Sequence, residues 1–103
     1  MIPVAEPIPK KEIDLELFTF IERYVTNRLR WEVLTFFSYH PHTQKTAYQI
    51  AQQIGCSYRA LRSELGDLAL LGVLYKVNLT EYPAYQLTME PMLRNQVLKF
   101  ARD

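Results

Sequence analysis

A chain of 103 residues, 49% of them apolar and 13% aromatic, is long enough for one domain around one core and too apolar for a disordered tail. Its net charge of +1 excludes the strongly basic footprint of proteins that hold nucleic acid by charge alone. One cysteine, Cys56, excludes an internal disulfide and the cysteine clusters of a zinc finger.

Residues 1–11 hold Pro3, Pro7 and Pro9, which a helix interior does not accept, so a flexible arm is expected there. An arm draped on a partner subunit is the alternative. The start lacks the apolar core of a signal peptide, and the longest apolar runs fall far short of a membrane span. A cytoplasmic protein without membrane contact is therefore expected. Residues 1–25 carry three basic and five acidic side chains against nine and six afterwards, which moves the positive excess downstream. Residues 12–103 are expected to form a single domain.

The spacing predicts a first helix over 13–25. Ile13, Leu17, Phe20, Ile21 and Tyr24 form one apolar stripe, and Leu15, Phe18 and Val25 form a second. A helix apolar on two faces has to be covered on two faces, and a short chain has little core to offer. Leu15, Phe18 and Val25 are accordingly expected at a dimer interface, with burial inside one chain as the alternative. A second helix over 29–39 turns Val33, Leu34, Phe36 and Phe37 inward, with Trp31 capping the core or extending the dimer surface. His40-Pro41-His42 closes it. Two histidines with no carboxylate or thiol near them in sequence fall short of a zinc site, so a polar loop is expected and no metal. Residues 43–45 suit a short strand.

The stretch 46–72 carries the strongest signal. Thr46 and Gln49 are spaced as a capping box, and Ala47, Ile50, Ala51 and Ile54 follow on one helical face. Gly55 breaks the pattern as a residue past a helix end does. Ser57 suits the cap of a next helix over 57–71, in which Leu61, Leu65 and Leu68 share one face. Short helix, glycine turn and longer helix form a helix-turn-helix pattern. Residues 73–79 and 84–88 then suit two strands around turn formers at 78–83. Thr88 suits the cap of a last helix with Pro91 in its first turn and Leu93, Val97 and Phe100 or Ala101 as its apolar stripe.

The run IAQQIGCSYRALRSELGDLALLGVL resembles the core of winged-helix transcriptional regulators of the ArsR and MarR types. The matching positions are Ala51, Gly55, Ser57, Leu65, Leu68 and Gly72, and Tyr85-Gln86-Leu87-Thr88 is similar to the "Y-x-L-T" that closes the wing. The likeness covers roughly residues 28–88. It implies a mainly α fold with a small antiparallel β-wing, carrying extra helices at 13–25 and 89–102. It implies sequence-specific binding of double-stranded DNA by a small homodimer, with the helix at 57–71 in the major groove. It also implies that the last helix pairs with the first, which adds Leu93, Val97 and Phe100 to the expected interface.

With three leucines inward, Tyr58, Arg59, Arg62 and Ser63 are left to point outward, where arginine can bond guanine and serine or tyrosine a base or phosphate. Ser57, and Lys45, Thr46 and Tyr48 near the preceding helix start, are the expected phosphate partners. Glu64 and Asp67 are expected to face away from the duplex. A two-fold dimer would set the recognition helices about 34 Å apart, one turn of DNA. The wing loop carries Glu81 where such regulators usually place a basic residue, leaving Lys76 and Tyr82 as its candidates. Cys56 stands where the family has an aliphatic residue, so a buried small side chain is expected. A redox switch at a helix start is the alternative. ArsR-type sensing of thiophilic metals by paired cysteines does not fit a single one. No catalytic constellation stands out, so neither enzyme activity nor a cofactor is expected, and the sequence does not specify a small-molecule effector. The rival reading is a winged-helix module that binds protein rather than DNA.

Overall fold

The computed structural model describes residues 15–77 and 81–101. The expected arm at 1–11, the first residues of the expected first helix and the loop residues 78–80 lie outside the described residues. The elements run α1 (Leu15–Tyr24), α2 (Arg28–Tyr39), β1 (Lys45–Thr46), α3 (Ala47–Ile54), α4 (Tyr58–Leu70), β2 (Leu74–Val77), β3 (Ala84–Leu87) and α5 (Pro91–Phe100). The three strands form one antiparallel sheet in the order β1-β3-β2. This is a winged helix-turn-helix fold: a mainly helical body with a small β-wing.

Local chemistry sets the boundaries. Asn27 caps α2, its Oδ1 accepting the Arg30 N–H at 2.9 Å. Thr46 ends β1 and caps α3 in a reciprocal capping box. Its Oγ1 accepts the Gln49 N–H at 3.2 Å, and Gln49 Oε1 accepts the Thr46 N–H at 2.9 Å. Gly55 terminates α3 at φ 71°, the left-handed conformation that a side chain resists, while its N–H bonds Ala51 O at 2.8 Å. Ser57 caps α4 through the Ala60 N–H at 3.3 Å. Gly72, at φ 86°, turns the chain from α4 into the wing.

The core lies where the helices meet the sheet. Val33, Leu34, Phe37, Ile50, Leu61, Leu65, Leu68, Val73, Leu74 and Val97 are completely buried. Leu17 and Phe20 on α1 close it from one side, and Tyr85 and Leu87 on β3 from the other. Each such aliphatic side chain contributes roughly 1.5–3 kcal/mol of burial energy. The three α4 leucines therefore fix which face of that helix looks outward. Trp31, half-exposed, sets its ring edge-on to Phe100 at 4.9 Å and closes the rim of the core.

Three expectations are corrected. Val97 and Phe100 on α5 are buried in this chain's own core, Phe100 against Phe20 at 6.2 Å and Trp31, so they offer no surface to a second subunit. Val25 and Leu93 are half-buried and pack against the same core. Of the expected interface residues, Leu15 and Phe18 remain exposed, at 70% and 58%. Second, Thr88 does not cap α5. It is fully buried and its Oγ1 accepts the Glu90 N–H at 3.0 Å, while Glu90 is the cap, accepting the Leu93 N–H at 2.8 Å. With Pro91 as the first helical residue, the cap falls at the residue before it. Third, the first strand is Lys45–Thr46 rather than 43–45, because its register is set by pairing Lys45 with Tyr85 and Thr46 with Ala84.

Candidate nucleic-acid interface

The outward side of α4 carries Arg59, Arg62 and Ser63, all exposed. One turn of helix earlier, Ser57 is exposed at the cap, and the α3 start brings Thr46 and Tyr48 alongside. Thr46 and Ser57 each spend an acceptor lone pair on a helix cap. Each hydroxyl keeps a proton to donate, the right polarity for a phosphate oxygen. Lys45, half-buried, and Lys76, exposed on β2, flank this surface. Among the described residues none of Lys45, Arg59, Arg62 and Lys76 forms an ion pair, so four cations stand available to an anionic partner.

The acids of α4 are accounted for. Arg30 of α2 donates from Nε to Glu64 Oε1 at 2.7 Å and from Nη2 to Asp67 Oδ2 at 3.3 Å. Both acids are held toward α2, although Asp67, four residues on from Ser63, stays half-exposed. The residue that receives them was not legible in the sequence, because it lies 34 and 37 positions away.

A second arrangement was also missed. Tyr48 of α3 and Tyr58 of α4 stack in parallel, ring centroids 4.0 Å apart and planes 3° from coplanar. Tyr82 of the wing loop meets Tyr48 edge-on at 6.0 Å. These rings line a cleft of about 300 Å³ between the helix pair and the wing, together with Thr46, Arg62, Lys76, Glu81 and Tyr85. Tyr58 is thus half-buried in a stack rather than pointing freely outward. Tyr85 is buried, and its phenol titrates above the usual tyrosine range. Desolvation is the main cause, and the neighbouring Tyr58 adds to it against the opposing pull of Arg62. Three elements supply the rings, so no local spacing announces the cluster.

Cys56, expected to be buried, is half-buried and packs against the edge of the core. Its thiol titrates above its ordinary value, first because burial disfavours the thiolate and then because Glu32 is nearby. A thiol held in its protonated form in this way argues against the redox-switch alternative. His42 lies with Nδ1 3.4 Å from Arg94 Nη2. Among the described residues no three His, Cys, Asp or Glu side chains gather as a metal site.

Away from this face, α1 and α5 border a largely apolar cleft of about 460 Å³ lined by Leu15, Phe20, Tyr24, Met92 and Leu93. Gln96 lines it too, buried, with an Oε1 that has no hydrogen-bond partner among the described residues. No helix among the described residues is long and apolar enough to cross a membrane.

No family model and no curated protein matches the sequence. The fold does match a solved structure, the solution NMR structure of the homodimeric winged helix-turn-helix DNA-binding domain (fragment 1–100) of Mb0332 from Mycobacterium bovis, a possible ArsR-family transcriptional regulator. The TM-score is 0.61 with 17% sequence identity, over 93% of this chain and 86% of that one. At that identity the likeness establishes the winged helix-turn-helix fold.

Proposed function

We propose that this chain is a sequence-specific, double-stranded-DNA-binding transcriptional regulator that works as a cytoplasmic homodimer. The observation that carries this reading is the state of the α4 face. Arg59 and Ser63 stand exposed, Arg62 borders the wing cleft, and the helix's two carboxylates are bound to Arg30. In the major groove such a helix offers guanidinium groups to guanine O6 and N7. Ser57, Thr46, Lys45, Tyr48 and Tyr58 then meet phosphates at the entry to the helix pair, and Lys76 meets one beside the wing.

The homodimer reading rests on α1 and α5. Leu15, Phe18, Met89 and Met92 are each more than half exposed. A second copy would cover them. The solved counterpart is itself homodimeric. Selection of binding sites from a random duplex pool with purified protein tests the function. A two-fold-related consensus whose half-sites lie about 10 base pairs apart is the expected product, and a pool that does not enrich overturns the reading.

One observation favours the rival, a protein-binding winged helix. Leu70 is 87% exposed and lies with half-exposed Leu71 and Tyr75 where α4 meets edge strand β2. An apolar patch beside an open strand edge suits a peptide partner. The two readings differ in salt dependence, which is steep only where phosphates are contacted.

A further inference from the structure

Arg30 occupies the first turn of α2, where its own N–H is held by the Asn27 cap. Its side chain is only 13% exposed and reaches across to α4. There one guanidinium serves two carboxylates a helical turn apart, Glu64 through Nε and Asp67 through Nη2. Glu64 directly follows Ser63, and Asp67 is four residues beyond it. Both acids therefore border the surface that carries Arg59 and Ser63. Released, they would set two negative charges beside two positive ones on the same helix.

We infer that Arg30 is a positioning residue for DNA binding: it draws Glu64 and Asp67 toward α2, offsets one of their two charges and so limits the negative charge beside Arg59 and Ser63 on the exposed face of α4. This rests on the DNA-binding reading and deepens it. It also explains how a chain of net charge +1 can present a cationic readout surface. The local balance is improved by pairing the helix's acids sideways with one guanidinium rather than by adding bases. A lysine would not substitute. Its single ammonium lacks the planar fork by which separate nitrogens meet separate acids.

Fluorescence anisotropy with a selected duplex, run over a sodium chloride series, tests this in three proteins: wild type, Arg30→Met and Arg30→Met/Glu64→Gln/Asp67→Asn. Circular dichroism melting of each checks the fold. Arg30→Met is expected to bind about tenfold more weakly at low salt, the deficit shrinking as salt screens the freed carboxylates. The triple variant, which lacks those charges, is expected to recover to within about threefold of wild type. A merely structural role would leave the triple variant as weak as the single one, and that result overturns the inference. So does wild-type affinity in Arg30→Met. If Arg30→Met does not fold, Glu64→Gln/Asp67→Asn with Arg30 retained carries the test. It is expected to bind at least as tightly as wild type, and weaker binding counts against the inference. Absence of salt-dependent binding by the wild type would instead remove the DNA reading itself, and the role of Arg30 with it.

Discussion

At the scale of single residues, the outward set on α4 was legible because three leucines at helical spacing leave only one side of the helix for Arg59, Arg62 and Ser63. What pairs with what was not legible. Arg30 meets Glu64 and Asp67 across more than thirty residues, and the Tyr48, Tyr58 and Tyr82 rings come from three elements. Cys56 shows two influences acting in the same direction. Burial disfavours its thiolate, and the nearby Glu32 carboxylate does so too. The folded protein therefore keeps the thiol proton to higher pH than the unfolded chain does. The associated stability is present at neutral pH and below, and is lost as pH rises through the folded thiol's titration. Iodoacetamide should label native Cys56 more slowly than a free thiol at pH 8, with the rate still rising at pH values where an ordinary thiol has levelled off. Labelling at the free-thiol rate would contradict this.

At the scale of elements, caps and glycines marked the helices well because those signals are local. The Thr46–Gln49 box and the left-handed Gly55 stand where the sequence places them. Thr46→Ala removes the cap of α3 and is expected to cost about 1 kcal/mol in urea unfolding. A loss well below that would mean that tertiary packing alone holds the helix start. The end of the chain was less legible. Amphipathic spacing shows that α5 has an apolar face, but not whether its own chain or another covers it. Here Phe20 and Trp31 cover Phe100. Phe100→Ala is accordingly expected to destabilise the fold by about 3–5 kcal/mol, read from the unfolding midpoint. A subunit-surface role would instead weaken association and spare the isolated chain.

At the scale of the whole molecule, the helix-turn-helix order and the small sheet followed from the sequence, while the distribution of charge and the uncovered surfaces required the packed chain. The exposed Leu15 and Phe18 stand on the opposite stripe of α1 from the buried Leu17 and Phe20. On the proposed homodimer reading, Phe18→Glu should leave the melting profile of the single chain intact and shift the sedimentation velocity boundary from dimer to monomer. A boundary unchanged from a wild-type dimer, or a wild-type boundary already at monomer, would count against an interface through Phe18. The most direct test of DNA readout by α4 is the affinity for a selected duplex as a function of salt, for wild type, Arg59→Ala and Arg62→Ala. A steep fall of wild-type affinity with salt, and a loss of about 1–3 kcal/mol in each variant, is the expected result. Affinity that ignores salt and is the same in all three proteins would contradict it.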